Sequence, residues 1–219
     1  MNVFDIIGPV MVGPSSSHTA GAVRIGRVAR ALLGLQPVEA IIKLHGSFAK
    51  TYKGHGTDKA IIAGLLGFQT DDLRIRNSME FAAKMGMKYR FETIDLKGVH
   101  PNTALIEVID EKGNKISVLG SSVGGGNIEI KQVNGMDVEF TGQYTTLVIP
   151  HRDTPGTIAE VTNLLGNNSI NIAQMKVFRS HRGGNAMMII ETDQRVGDDI
   201  KDRIWQMPNI LGISVVEPV

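Results

Sequence analysis

The residues best suited to chemistry begin with a polar segment near the N-terminus, GPSSSHT at residues 13–19. Ser15, Ser16 and Ser17 can cap a helix that starts near His18. Hydroxyls and backbone N–H groups then surround one point, with the positive end of the helix dipole behind them. Such a cradle suits a carboxylate or a phosphate, whereas the simpler alternative is a helix cap with spare hydroxyls. The segment is not a Walker A loop, because it lacks the Gly-Lys-Ser/Thr ending.

A second polar segment, HGSFAKTYKGHGTD at residues 45–58, is predicted to be a loop between a strand and a helix. His45 and His55 lack the i, i+4 spacing of two metal ligands on one helix. A zinc site would need three separate segments to bring these two residues and His18 together. A histidine that acts as a general base or as a substrate anchor is therefore the better prediction. Thr57 can equally be only the cap of the next helix.

Two further segments carry weaker signals. HPNT at residues 100–103 leads into a strand, and its proline fixes an extended backbone, so His100 can be purely structural. VGGG at residues 123–126 predicts a glycine turn between strands, where backbone amides can approach an anion or another chain. This turn is not a dinucleotide fingerprint, since no strand-glycine-helix unit surrounds it.

The composition excludes several classes of function. The 219 residues contain no cysteine, so this chain forms no disulfide, has no thiol nucleophile and offers no thiolate ligand to zinc or to an iron–sulfur cluster. A formal net charge of +1 and only 5% aromatic residues argue against a nucleic-acid surface. Because no apolar run can span a membrane and the N-terminus lacks a secretory pattern, we expect a cytoplasmic protein.

The chain is predicted to be an α+β protein with two domains, residues 1–142 and 143–219. In the second domain, apolar patterns and turns predict the order β-α-β-β-α-β, a ferredoxin-like sandwich of four antiparallel strands and two helices. Its strands are expected at 144–149, 170–178, 186–192 and 210–217, and its helices at 157–165 and 196–206. In the first domain, helices are expected from about residue 18, at 58–66 and at 79–86, and strands at 38–44, 89–94, 103–110, 116–119 and 138–141.

Taken in order, the four polar segments closely resemble the β subunit of bacterial iron–sulfur-dependent L-serine dehydratase, also called L-serine ammonia-lyase. The C-terminal unit, with DTPG at 153–156 and an Asn-Ile pair at 171–172, resembles an ACT regulatory domain. The resemblance covers essentially the whole chain. For the first domain it implies the fold called the allosteric-substrate-binding type, which is also found in some phosphoglycerate dehydrogenases.

The resemblance implies an activity that this chain shares with a partner. Members of the family convert L-serine to pyruvate and ammonia, and the open iron of a [4Fe–4S] cluster coordinates the substrate. In members split into two chains the α chain carries the cysteines, and the lack of cysteine here fits the β chain. The implied partners are therefore an α chain and, through the ACT domain, a second copy of this chain. Alone, the chain is expected to be inactive.

The matching motifs also imply which residues act. His55 is the expected base, because a neutral imidazole accepts protons near physiological pH. His18 is expected to be a second anchor, and Thr57 a further polar group of the active site. The residues expected to hold the substrate carboxylate are Ser15, Ser16, Ser17 and Thr19.

An effector site is implied for the ACT domain. Related domains bind small amino acids with a histidine and an asparagine in the loop after the first strand and an asparagine on the second strand. The matching residues are His151, Asp153 and Asn171. Because Asp153 replaces an asparagine, its negative charge predicts an ammonium group or a monovalent cation such as K+ in place of a serine carboxylate.

Two functions of other classes remain open at this point. One is a free-standing amino-acid sensor that performs no chemistry, and the other is an oligomerisation module. Histidines beside the bound molecule argue against the sensor, because recognition alone does not need them. The module would tolerate replacement of His18 and His55 without loss of activity.

Overall fold

The computed structural model describes residues 10–219, and the chain divides into two compact units between Gly135 and Met136. The domain boundary expected between residues 142 and 143 stays a prediction. In the first unit a π-helical turn (Ser16–Ala20) continues into helix α1 (Gly21–Leu33), and the other helices are α2 (Gly46–His55), α3 (Thr57–Leu65), a 3-10 turn (Leu73–Asn77) and α4 (Ser78–Lys84). Its strands are β1 (Pro37–Leu44), β2 (Lys88–Thr93), β3 (Thr103–Asp110), β4 (Lys115–Gly124) and β5 (Asn127–Val133).

The strands of the first unit lie in the order β2-β1-β3-β4-β5. Strand β1 is parallel to β2, and the pairs β1–β3, β3–β4 and β4–β5 are antiparallel. Ala40, Ile42 and Leu44 alternate with less buried neighbours, as expected for a sheet that is covered by helices on one face. On that face Gly120 of β4 makes room for α1, because a Cβ there would lie 2.9 Å from Ile25.

Helices α1 and α3 approach each other backbone to backbone. A Cβ on Gly64 would lie 2.1 Å from the Val23 carbonyl oxygen, and a Cβ on Gly26 would lie 2.6 Å from the Ile61 carbonyl oxygen. Only glycine permits contacts this close. The crossing holds α3 against α1 and against the π-helical turn before it.

The second unit begins with strand β6 (Met136–Phe140) and contains β7 (Thr145–Arg152), α5 (Thr157–Asn167), β8 (Ile172–Arg179), β9 (Asn185–Thr192), α6 (Asp198–Trp205) and β10 (Ser214–Val216). Strands β10-β7-β9-β8 form an antiparallel sheet. Both helices pack on one face of it, around Leu147, Ile149, Val161, Ile190 and Ile204. This confirms the predicted β-α-β-β-α-β order.

Most predicted elements of residues 10–219 agree with the structure to within a few residues, and five are corrected. Strand β4 runs to Gly124, five residues beyond its predicted end. Residues 46–55 form helix α2 rather than a loop, and Gly56 (φ 71°) in the left-handed conformation both ends α2 and begins α3. Strand β5 lies where the sequence predicts no element. The helix expected from His18 begins at Ser16, and β10 spans only Ser214–Val216. Within the described residues, no helix combines the length and apolar character needed to cross a membrane.

Candidate active site

The π-helical turn positions His18. Ser15 is its N-cap: the Ser15 Oγ accepts the backbone N–H of His18 at 3.3 Å, and the Ser15 carbonyl oxygen accepts the N–H of Thr19 at 2.8 Å. π-Helical turns are rare and occur frequently at functional sites. Here the turn directs the His18 ring toward helix α2, where it is 9% exposed.

Helix α2 supplies the second group of side chains, and the HPNT segment holds its first residues. The N–H groups of Ser47 and Phe48 donate to the Pro101 carbonyl oxygen at 2.8 and 3.4 Å. Gly46 has φ 57°, and a Cβ there would lie 2.6 Å from the same oxygen, so this position requires glycine. The start of α2 is thereby fixed against a segment that lies more than fifty residues later in the chain.

The HPNT segment is itself well braced. Thr103 Oγ1 donates to the His100 carbonyl oxygen at 2.5 Å and lies 2.7 Å from the Ser121 Oγ. The Asn102 N–H donates to His100 Nδ1 at 3.1 Å. His100 is exposed and belongs to this brace, so the structural interpretation of the segment is the one that its geometry favours.

Four side chains meet at His18. His18 Nδ1 lies 3.3 Å from the Ser15 Oγ, and His18 Nε2 lies 3.2 Å from the Ser47 Oγ. The His55 ring lies 4.7 Å from the His18 ring, centroid to centroid, at 88°, and the Phe48 ring lies at 5.3 Å. We call Ser15, His18, Ser47, Phe48 and His55 the histidine centre.

The two histidines of this centre differ in environment. Burial lowers the pKa of His18, and the nearby positive charge of protonated His55 lowers it further. His18 is therefore neutral near pH 7. His55, the last residue of α2, is exposed, and its ring nitrogens have no hydrogen-bond partner among residues 10–219. His55 is thus free to exchange a proton, whereas both ring nitrogens of His18 are occupied.

The other residues predicted for the site in the first unit are Ser16, Ser17, Thr19 and Thr57. Thr19 and Thr57 are buried, and within the described chain neither Oγ1 has a hydrogen-bond partner. Thr57 begins α3, which packs against the π-helical turn. Ser16 and Ser17 are half-buried in that turn. Both threonine hydroxyls are therefore buried polar groups that an ordered water could satisfy.

His45 is not part of the histidine centre. Its Nδ1 accepts the N–H of Leu96 at 3.2 Å, in the segment that follows β2. No group of three histidine, aspartate, glutamate or cysteine side chains in residues 10–219 is placed to hold a metal ion. The described part of the chain therefore gives no support to a zinc site built on His18, His45 and His55.

The glycine turn joins β4 to β5, as predicted. Gly124, Gly125 and Gly126 all have positive φ. The Gly126 carbonyl oxygen accepts a hydrogen bond from Arg24 Nη1 at 2.6 Å, so the turn is tied to α1. Ser122 is buried within β4, and so the Gly-x-Ser-x-Gly pattern at 120–124 does not form the exposed strand-to-helix turn of a nucleophilic serine.

In the second unit the predicted effector residues are separated. His151 is buried in β7, not in the following loop, and its Nδ1 lies 3.1 Å from the Ile149 carbonyl oxygen. Asp153 accepts the N–H of Gly183 at 3.0 Å and pairs with Arg179 at 3.4 Å. Both contacts lower the pKa of Asp153, and the hydrogen bond from the Gly183 N–H has the larger effect.

Asn171 lies at the other end of strand β8 from Arg179 and the Asp153 carboxylate. Eight residues of strand separate these ends, a distance of roughly 23 Å. The Asn171 Nδ2 donates to Asp193 at 2.6 Å, and its N–H donates to Gln194. A single copy of the chain therefore does not bring Asn171 to the other two residues.

Sequence reasoning missed three contributors to these sites: Ser47, Phe48 and Arg24. Ser47 and Phe48 stand inside the second polar segment but were hidden by its prediction as a loop. Helix α2 begins at the Gly-Ser pair that follows His45, and this pair is the signal in the sequence that could have revealed them. For Arg24 the sequence carries no comparable signal, because its role depends on a glycine turn about a hundred residues away.

The chain is similar to known proteins over nearly its whole length. The family model described as serine dehydratase beta chain matches residues 2–97, and the ACT domain model matches residues 145–205. The chain is 50% identical over 215 residues to the probable L-serine dehydratase, beta chain, of Bacillus subtilis (strain 168), covering 98% of this chain and 97% of that protein. To the L-serine dehydratase, beta chain, of Peptoniphilus asaccharolyticus it is 39% identical over 217 residues, covering 99% and 98%.

A more distant similarity joins the chain to a different enzyme. It is 26% identical over 184 residues to the D-3-phosphoglycerate dehydrogenase of Bacillus subtilis (strain 168), which covers 83% of this chain and 35% of that protein. The aligned part is therefore a portion of a longer protein.

Proposed function

This chain belongs to the serine dehydratase β-chain family, and from that membership we propose that it forms an L-serine ammonia-lyase together with a cysteine-bearing α chain. The observation that carries the proposal is the 50% identity to a probable L-serine dehydratase beta chain over 98% of this chain. The histidine centre supports it, because two separate segments, the π-helical turn and α2, bring together two imidazoles and two hydroxyls there.

The proposed reaction needs a base. Removal of the α-proton of L-serine and departure of its 3-hydroxyl as water leave an enamine, which hydrolyses to pyruvate and ammonia. We assign the base to His55, which is exposed and has no hydrogen-bond partner in residues 10–219. It is the last residue of α2, with its ring beside that of His18.

The other site residues bind and orient. Ser16, Ser17 and Thr19 lie in the π-helical turn that Ser15 caps, and the positive end of the helix dipole together with the serine hydroxyls there favours a carboxylate. Thr57 adds a buried hydroxyl on the adjoining helix. Neutral His18 stands between these hydroxyls and His55, and so a single positive charge develops at the centre, on His55.

The family's iron–sulfur cluster is not accommodated by this chain. The sequence contains no cysteine, and residues 10–219 hold no group of three other metal-binding side chains. We propose that a [4Fe–4S] cluster is ligated by cysteines of the α chain. The role of the present chain is then to supply the base and the carboxylate cradle and, through its ACT domain, to regulate the complex.

The test is anaerobic deamination of L-serine by this chain, alone and after coexpression with the cysteine-bearing chain, with pyruvate as the readout. We expect pyruvate only from the iron-loaded complex. A complex that binds L-serine yet forms no pyruvate would favour the sensor instead. Failure of the two chains to associate would contradict the proposal at its first step.

A further inference from the structure

Each ring nitrogen of His18 contacts one serine hydroxyl. Ser15 Oγ already accepts the backbone N–H of His18 at 3.3 Å, and the same oxygen lies 3.3 Å from Nδ1. Both serine hydroxyls can donate or accept. Because the Ser15 Oγ already accepts one N–H, the arrangement that completes its hydrogen bonding has Ser15 donate its proton to Nδ1, with the ring proton on Nε2 directed to the Ser47 Oγ, 3.2 Å away.

Ser47 is held rigidly enough to act as a fixed acceptor. Its N–H donates to the Pro101 carbonyl oxygen at 2.8 Å, and its own carbonyl oxygen accepts the Thr51 hydroxyl at 2.8 Å. The preceding Gly46 is packed against Pro101 so closely that no larger residue fits. The neighbouring Phe48 ring contacts the His18 ring edge to face at 5.3 Å.

We infer that Ser47 is a positioning residue that fixes the ring plane and the tautomer of His18 in the histidine centre. The inference rests on the proposed function, since it assigns a task to a residue of that site. With Nε2 donating to Ser47 and Nδ1 accepting from Ser15, the His18 ring can neither rotate nor exchange its proton without breaking a contact. Its orientation toward His55 is thereby set before any substrate arrives.

The first test is nitrogen-15 NMR of the histidine rings in the full chain, which needs no partner. We expect His18 in the native chain to be the Nε2–H tautomer, and the Ser47→Ala variant to show a mixture of both tautomers. Ser47→Thr keeps the hydroxyl and should retain the native signals. Ser47→Cys, with a weaker acceptor of similar size, should give an intermediate mixture.

Tyr52→Phe is the matched control. It removes a hydroxyl from a side chain of the same helix that stacks on Phe91, so it tests whether any loss of a hydroxyl from α2 disturbs His18. The His18 signals should be unchanged. An unchanged tautomer in Ser47→Ala, or an Nδ1–H tautomer in the native chain, would overturn the inference.

The second test uses the complex with the α chain. Ser47→Ala should lower kcat roughly tenfold, the effect typical of losing an orienting partner, while KM stays within about twofold. Ser47→Thr should restore kcat. A complex that forms no pyruvate even with the native chain would contradict the proposed function, whereas the NMR result still decides the assignment of Ser47.

Discussion

The histidine centre of the first unit and the effector residues of the second unit are built in opposite ways. In the first unit, residues 29 and 37 positions after His18 contact it, because α2 is held by Pro101. In the second unit, Asp153 and Asn171 are 18 residues apart in sequence, yet the Asp153 carboxylate contacts Arg179 at one end of β8 and Asn171 precedes the other end. Proximity in the sequence is therefore a poor guide to either site.

The difference also concerns hydrogen bonding. In the histidine centre, the ring nitrogens of exposed His55 have no hydrogen-bond partner among the described residues, so a ligand can bind them without displacing another contact. Asp153 and Asn171 are already engaged by Arg179 and Asp193. A ligand of the second region must therefore first displace the contacts that Asp153 and Asn171 already make, whereas a ligand of His55 need not.

The largest expected effect belongs to the base. In the complex with the α chain, His55→Ala should lower kcat by at least a hundredfold, the usual contribution of a positioned base. His181→Ala removes an exposed histidine of the second unit and should stay within about twofold of the native complex. Steady-state pyruvate formation measures both, and equal activities of the two variants would remove His55 from the chemistry.

A pair of glycine variants tests how α2 is held. Gly46→Ala meets the Pro101 carbonyl oxygen at 2.6 Å and keeps a positive φ, so it should lower the free energy of unfolding by about 1–3 kcal/mol. Gly54→Ala lies in the same helix with open space around it and should raise that free energy by roughly 0.5–1 kcal/mol. Urea unfolding of the isolated chain compares the two. Equal changes in the free energy of unfolding would show that the close contact between Gly46 and Pro101 does not limit the residue at position 46.

A smaller effect concerns pH. Burial and the charge of His55 lower the pKa of His18 below its ordinary value of 6.5. Between the two pKa values the unfolded chain binds a proton that the folded chain does not, so folding stability should rise with pH through this window. In the His18→Gln variant, folding stability should rise less steeply with pH. Urea midpoints from pH 5 to pH 8 check this, and an identical slope in both chains would show that His18 is not desolvated.

The smallest effect is expected at Asp153. Its pKa is lowered by the Gly183 N–H and by Arg179, so the stability that it adds is present above the ordinary aspartate value of 3.8 and is lost as the pH falls. Asp153→Asn should therefore lower the urea midpoint slightly at pH 7 and by less at pH 3. If its charge binds K+, stimulation of the complex by K+ should weaken in the same variant. Undiminished stimulation would exclude Asp153 as a ligand of K+.

Much of the fold could be predicted because its signals are local. Strand β3 begins and ends as its alternating pattern predicts, and Gly34 ends α1 in the left-handed conformation. Helix α2 was missed because it buries only Phe48 and so has no apolar period. Its start depends on Pro101, a partner that no local pattern reveals.

The candidate site shows the same limit. The motifs pointed to His18 and His55, and the structure brings their rings within 4.7 Å. They gave no sign that Ser47 faces His18, because that contact follows from the packing of α2 rather than from spacing. The assignment of His55 as the base stays a prediction, which its exposure and free ring nitrogens support.

The most direct test of the account is chemical rescue of the His55→Ala complex by imidazole. If His55 removes the α-proton of L-serine, added imidazole should restore pyruvate formation in proportion to the concentration of the free base, and the native complex should not respond. Because His55 is exposed, the small molecule can reach the vacated position. A His55→Ala complex that retains native activity, without imidazole, would contradict the account.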